Sequence, residues 1–145
     1  MQSFFTLEVI FITTLVGFIF GWLWYSPILF VKAWMKGLGV SKDQMPHRSS
    51  KYKLQTMAYT FIAQGAMAAT LAVVFDIVQI TTMKSALSLG LLLGLGFIVT
   101  TRFIDMVHTV SGSHYEMRPQ LNFLVSAGYY ASLMTLMSAV MFLVA

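Results

Sequence analysis

Four apolar runs of roughly twenty residues alternate with polar segments along the chain, at about 4–25, 54–80, 86–107 and 121–144. At 1.5 Å of rise per residue, each is long enough as a helix to cross about 30 Å of hydrocarbon. The pattern predicts an all-α fold: an integral membrane four-helix bundle. The polar segment after the first run has a helical period of its own. Ser26 reads as an N-cap and Pro27 as the first helical position. From there Ile28, Val31, Trp34, Met35 and Leu38 fall on one arc, with Lys32 and Lys36 away from it. This predicts a short amphipathic helix over about 27–38, lying in the membrane interface. The alternative is a Pro-kinked continuation of the first span. Gly37 and Gly39 are expected to stop it. Trp22, Trp24, Tyr25 and Trp34, with Lys32 and Lys36, read as interfacial anchors, because an aromatic ring can sit in acyl chain while its polar edge stays wet.

Composition agrees with one membrane domain over residues 1–145. The chain is 58% apolar with a mean hydropathy of +0.78, and only 10% of its 145 residues are charged. A soluble domain of this size needs more charge to cover its surface. There is no cysteine, which removes thiol catalysis and disulfides. The net charge of +4 is not a nucleic-acid footprint, because it is concentrated in loops flanking apolar spans. Lys32, Lys36, Lys42, Arg48, Lys51 and Lys53 lie between the first two spans, against the single acid Asp43. Arg118 lies between the last two spans, with Arg102 close by, and Lys84 alone marks the opposite face. The positive-inside rule then puts both termini outside and the basic loops in the cytoplasm. A bacterial inner membrane is expected, with a mitochondrial inner membrane as the alternative. The first span lacks a basic leader and a small-residue cleavage site, so it is expected to be retained.

Small residues predict helix contacts: Gly17 and Gly21 in span one, Gly65 and Ala69 in span two, Gly90 and Gly94 in span three, and Gly128 in span four. Intramembrane polar groups need partners within the bundle. Gln64 lies near mid-membrane, and Asp76, close to the far end of its span, can face the interface, pair with Lys84 or titrate within the membrane. Arg102 and Asp105 are spaced to pair, and Asn122, Ser126 and Tyr129 share a helix face, with Tyr130 beside them. Together Tyr25, Gln64, Arg102, Asp105, Asn122, Ser126 and Tyr129 form a candidate polar pocket on the cytoplasmic side. The ordinary reading of Arg102 and Asp105 is an interfacial ion pair. His47, His108, His114 and Glu116 match no metal-ligand spacing, so no metal and no cofactor are expected.

The run Gly21, Trp24-Tyr25-Ser26-Pro27, Phe30, Lys32, Trp34-Met35 and Gly39 resembles the signature of an uncharacterised family of small four-span membrane proteins, catalogued as domain of unknown function 1761. Gly96-Phe97 through Thr100-Thr101, Arg118-Pro119 and Ala127-Gly128-Tyr129 are similar to that family as well. Two features depart from it: Val31 stands where the family usually has glycine, and Ser111 to Tyr115 lengthen the loop before Arg118. The resemblance implies the four-span architecture and brings no known activity.

Two functions are expected from these readings. The first is an accessory or structural subunit that packs against other membrane proteins or against itself. The second is an oligomeric small-solute carrier, channel or lipid- and ligand-binding protein using the polar pocket. No nucleophile–base pair, zinc-protease motif or phosphate loop is present, so catalysis is not expected. The expected partners are the lipid bilayer and other membrane subunits or further copies of the chain, not nucleic acid.

Overall fold

The computed structural model describes residues 3–44, 48–110 and 117–145. Six α-helices account for most of them: α1 (Leu7–Trp24), α2 (Val31–Leu38), α3 (Ser50–Val78), α4 (Met83–Leu93), α5 (Thr100–Val110) and α6 (Pro119–Val144). A π-helical segment, Gly94–Val99, joins α4 to α5 without a break, and Lys42–Gln44 form one 3₁₀ turn. Four helical stretches are long and apolar enough to cross a membrane: Leu7–Trp24, Ser50–Val78, Met83–Thr109 and Pro119–Val144. At 29 residues α3 is about 43 Å long, more than hydrocarbon requires. Its first turn, with Lys51 and Lys53, therefore extends beyond the apolar layer.

Hydroxyl side chains start three of these helices. Thr6, Ser49 and Thr82 accept from the backbone N–H groups of Val9, Tyr52 and Ser85. Each satisfies one of the donors that a helix start leaves free. The first span begins later than its hydropathy predicts, because Phe4 turns back over the bundle. Phe4 is buried with its ring 5.1 Å from Phe75 and 6.5 Å from Phe142. The Asp76 carboxylate accepts from the Phe4 N–H at 2.9 Å and the Phe5 N–H at 3.3 Å. Asp76 thus ties down the incoming chain rather than pairing with Lys84, and only Arg102–Asp105 forms an ion pair among the described residues.

Helix α2 corrects the sequence reading at its start. Ser26–Phe30 form turns, and α2 begins at Val31 with Phe30 as N-cap. Ser26 Oγ accepts from the Ile28 N–H and the Ser26 carbonyl from Leu29, so the chain reverses direction before it can continue as a helix. Gly39 does end α2, in the left-handed conformation at φ 69° that glycine adopts at low cost. Gly37, in contrast, lies inside α2 and is buried. A Cβ there would lie 2.7 Å from the backbone nitrogen of Asn122, and the Gly37 carbonyl accepts from the Arg118 N–H at 2.9 Å. Gly37 is what lets α2 dock against the start of α6. The loop residues Ser111 to Tyr115, with His47 and Glu116, lie outside the described residues.

Helix α6 is the spine, touching α1, α2, α4, the π segment and α5, while α3 leans mainly on α1. The fully buried side chains Leu71, Phe75, Leu133, Met137 and Met141 form a closed core. Every buried residue of α3 lies at or beyond Gln64, and residues 50–60 are exposed on all sides. The bundle is therefore closed at the end near Phe4 and splayed at the end near the basic segment. Cavities open in the splayed half.

Candidate functional site

Trp24, Gly128 and Tyr129 organise the splayed end. The Trp24 indole N–H donates to the Val125 carbonyl at 3.2 Å, and its ring lies 4.4 Å from Phe30 and 6.1 Å from Tyr129. Trp24 is turned into the bundle, unlike Trp22, which is 72% exposed. The sequence reads Trp24 as an interfacial anchor; here an α6 carbonyl, not headgroup water, is the acceptor for its indole. Gly128 makes room for it, since a Cβ there would sit 3.2 Å from the ring. Tyr25 and Trp34 pack edge to face at 5.9 Å, and Tyr25 lies 5.2 Å from Tyr129. Tyr25 caps α1 just beyond the first span. Burial pushes its phenol above the ordinary value, and the Ser126 side chain opposes this by hydrogen bonding. The phenol stays protonated at neutral pH and can serve as a hydrogen-bond donor.

Tyr25 and Trp34 form a wall shared by two cavities. The smaller has a volume of about 230 Å³ and is lined by Tyr25, Arg102, Asp105, Asn122 and Ser126, together with Trp34 and Gly37. Five of the seven candidate pocket residues therefore border one space. Arg102 donates to Asp105 and to the Tyr130 hydroxyl, each at 3.4 Å, with its guanidinium carbon 5.3 Å from the Tyr130 ring centroid. Both members of the ion pair are substantially exposed, at 44% and 58% of their side chains, so the pair contributes about 1 kcal/mol or less to stability. A guanidinium has five N–H donors, and two are engaged here. The Ser126 hydroxyl donates back to the Asn122 carbonyl at 2.9 Å, and Asn122 Oδ1 is buried without a partner.

The other two candidates, Gln64 and Tyr129, border the larger cavity, of about 710 Å³, between α1, α3 and α6. The Gln64 amide nitrogen donates to the Tyr129 hydroxyl at 3.0 Å and to the Gly17 carbonyl at 3.4 Å. Trp34 and Tyr130 also belong to the site, as shared wall and as partner of Arg102. The sequence reading placed Trp34 among the anchors and gave Tyr130 only an unnamed partner. The i, i+4 spacing from Tyr130 to Ser126 is the signal that brings it within reach of the pocket residues.

The candidate helix-packing glycines face inward. A Cβ at Gly17 would meet Leu133 and Met137, one at Gly21 the Tyr129 hydroxyl, and one at Gly90 or Gly94 the α6 backbone. Gly65 faces Thr14 at ordinary contact distance. Ala69 is half-buried, and Lys32 and Lys36 are exposed. Among the described residues no three His, Cys, Asp or Glu side chains gather as metal ligands.

Fold and site define a small helical protein with four potential membrane spans and a splayed, aromatic-walled end. The chain belongs to the family described as Protein of unknown function (DUF1761), whose model matches residues 9–142. No curated protein and no solved structure matches it.

Proposed function

We infer that this protein binds a small anionic solute or headgroup at Arg102, on the cytoplasmic side of the membrane. One observation carries this reading: Tyr25, Arg102, Asn122 and Ser126, from three separate parts of the chain, border a single polar cavity. Its 230 Å³ is below the roughly 300–1,000 Å³ of drug-sized sites, which suits a compact ligand. Arg102 supplies charge and planar donors, and the Tyr25 phenol supplies a further O–H donor. Asp105 opposes an anion and holds the guanidinium in place. The orientation rests on the six basic residues from Lys32 to Lys53, with both termini outside.

The accessory-subunit reading keeps one supporting observation. Residues 50–60 of α3 stand clear of the bundle and are open to contact with another subunit or a second copy. The glycine faces no longer support it, because α6 faces those of α1 and α4 and α1 faces those of α3 and α6, all within the chain.

Butyl phosphate titrated calorimetrically into protein in phosphatidylcholine nanodiscs tests the binding reading. Arg102→Gln is expected to abolish binding, and Asp105→Asn to strengthen it several-fold by removing a like charge. Binding unchanged in Arg102→Gln overturns the reading.

A further inference from the structure

We propose that the larger cavity is a second site, chemically distinct from the Arg102 cavity, which takes a flat, neutral ring compound carrying a hydroxyl group from the bilayer. Phe18, Trp22, Tyr25, Trp34, Tyr129 and Tyr130 border it, and at about 710 Å³ it falls within the usual range for small-molecule sites. Aromatic walls favour flat ring systems by stacked and edge-to-face contact. Trp22 and Met57 at its rim are exposed on helices that cross the membrane, so a ligand enters laterally from lipid.

The polar chemistry narrows the ligand further. Gln64 is only 4% exposed. The Gly17 carbonyl can only accept, so the amide atom beside it is the nitrogen. Gln64 Oε1 is then left screened from solvent with no hydrogen-bond partner. The Tyr129 hydroxyl accepts from Gln64 and keeps its own proton to donate. A hydroxyl matches both needs, donating to Oε1 and accepting from Tyr129. An ether or ketone brings no donor. A carboxylate would lose its hydration among aromatic rings, with Arg102 lining the other cavity.

The probes are 4-(6-bromohexyl)phenol and its methyl ether, added to protein in phosphatidylcholine nanodiscs. Bromine quenching of tryptophan fluorescence reports occupancy, since Trp22 and Trp34 border the cavity. The phenol is expected to quench saturably, with a half-saturating concentration about tenfold below that of the ether, as loss of one hydrogen bond implies. Gln64→Leu is expected to erase that preference. Ala63→Phe, at an exposed position bordering the cavity, is expected to abolish saturable quenching by both probes while butyl phosphate still binds at Arg102. Equal half-saturation by phenol and ether in the unaltered protein overturns the proposal, because the ligand hydroxyl is then not donating to Oε1. Absence of saturable quenching, or quenching unchanged by Ala63→Phe, overturns it too. Should Gln64→Leu fail to fold, the phenol-to-ether ratio and Ala63→Phe decide alone.

Discussion

Gly90 and Gly96 belong to one span yet carry opposite constraints. A Cβ at Gly90 would lie 2.6 Å from the Met134 carbonyl oxygen and would collide with the Ser138 side chain. At Gly96 a Cβ would meet nothing within 4 Å. The close approach at Gly90 seats α4 on α6, and backbone cannot move aside as a flexible side chain can. Gly90→Ala is expected to destabilise the protein by about 1–3 kcal/mol, the usual cost of overpacking. Gly96→Ala is expected to be neutral or to stabilise it by about 0.5–1 kcal/mol, the conformational-entropy cost that glycine carries in a helix. Thermal unfolding of both variants in one mild detergent checks the pair; equal losses would show that contact with α6 is not what sets the two glycines apart. Spacing in the sequence marks Gly90 and Gly94 as a packing pair. It cannot tell that their partner is α6 of the same chain, because small residues look alike whether they meet a neighbour within the chain or from another molecule.

At the scale of elements, the π segment Gly94–Val99 aims the site. One extra residue in a helical turn rotates everything beyond it by about 100° relative to a regular helix. Here that turn sets the face of α5 on which Arg102 reaches Tyr130 and Phe103 lies 5.6 Å from Phe123. The carbonyls disturbed by the wider turn are met locally. Thr100 Oγ1 donates to Gly96 and Phe97 oxygens at 2.7 and 3.0 Å, and Thr101 Oγ1 donates to Phe97 at 2.7 Å. Deleting Gly96 is expected to restore α-helical register and swing Phe103 away from Phe123. The absence of native cysteine makes this easy to measure. A Phe103→Cys, Phe123→Cys pair should cross-link with a short bifunctional thiol reagent, and should stop doing so once Gly96 is deleted. Cross-linking that survives the deletion would mean the π turn does not orient α5. Apolar periodicity cannot reveal such a segment, because a run that is apolar on all sides looks the same at any register. The start of α2 eluded the sequence for a different reason: Ser26-Pro27 suits a tight turn as well as it suits a helix start. Asn122, Ser126 and Tyr129 do share a face of α6, as their spacing implies. The side chains of Tyr25 and Trp34 then divide that face between two cavities, and this depends on how α2 folds back.

At the scale of the whole molecule, the splay and the charge asymmetry coincide. The core around Phe75, Leu133 and Met137 closes the end where Asp76 holds the N-terminal segment, and both cavities lie in the half that carries the basic residues. If basic segments stay in the cytoplasm, Arg102 meets solutes from that side, and the same fold inverted would present its pocket outward. The two arrangements separate by labelling single cysteines in intact cells with a membrane-impermeant maleimide. Asp43→Cys keeps all six basic residues between Lys32 and Lys53, and Thr81→Cys lies in the short link before α4. Thr81→Cys is expected to react at once, and Asp43→Cys only after the membrane is permeabilised. The reverse pattern would put the Arg102 cavity on the outer face. Retention of a basic segment costs on the order of 1 kcal/mol per residue less on the side with anionic lipid, so six residues against Lys84 alone are expected to favour one orientation. A lone Lys84→Glu change should therefore leave the labelling pattern as it is, whereas replacing Lys42, Arg48, Lys51 and Lys53 by glutamine should mix the two.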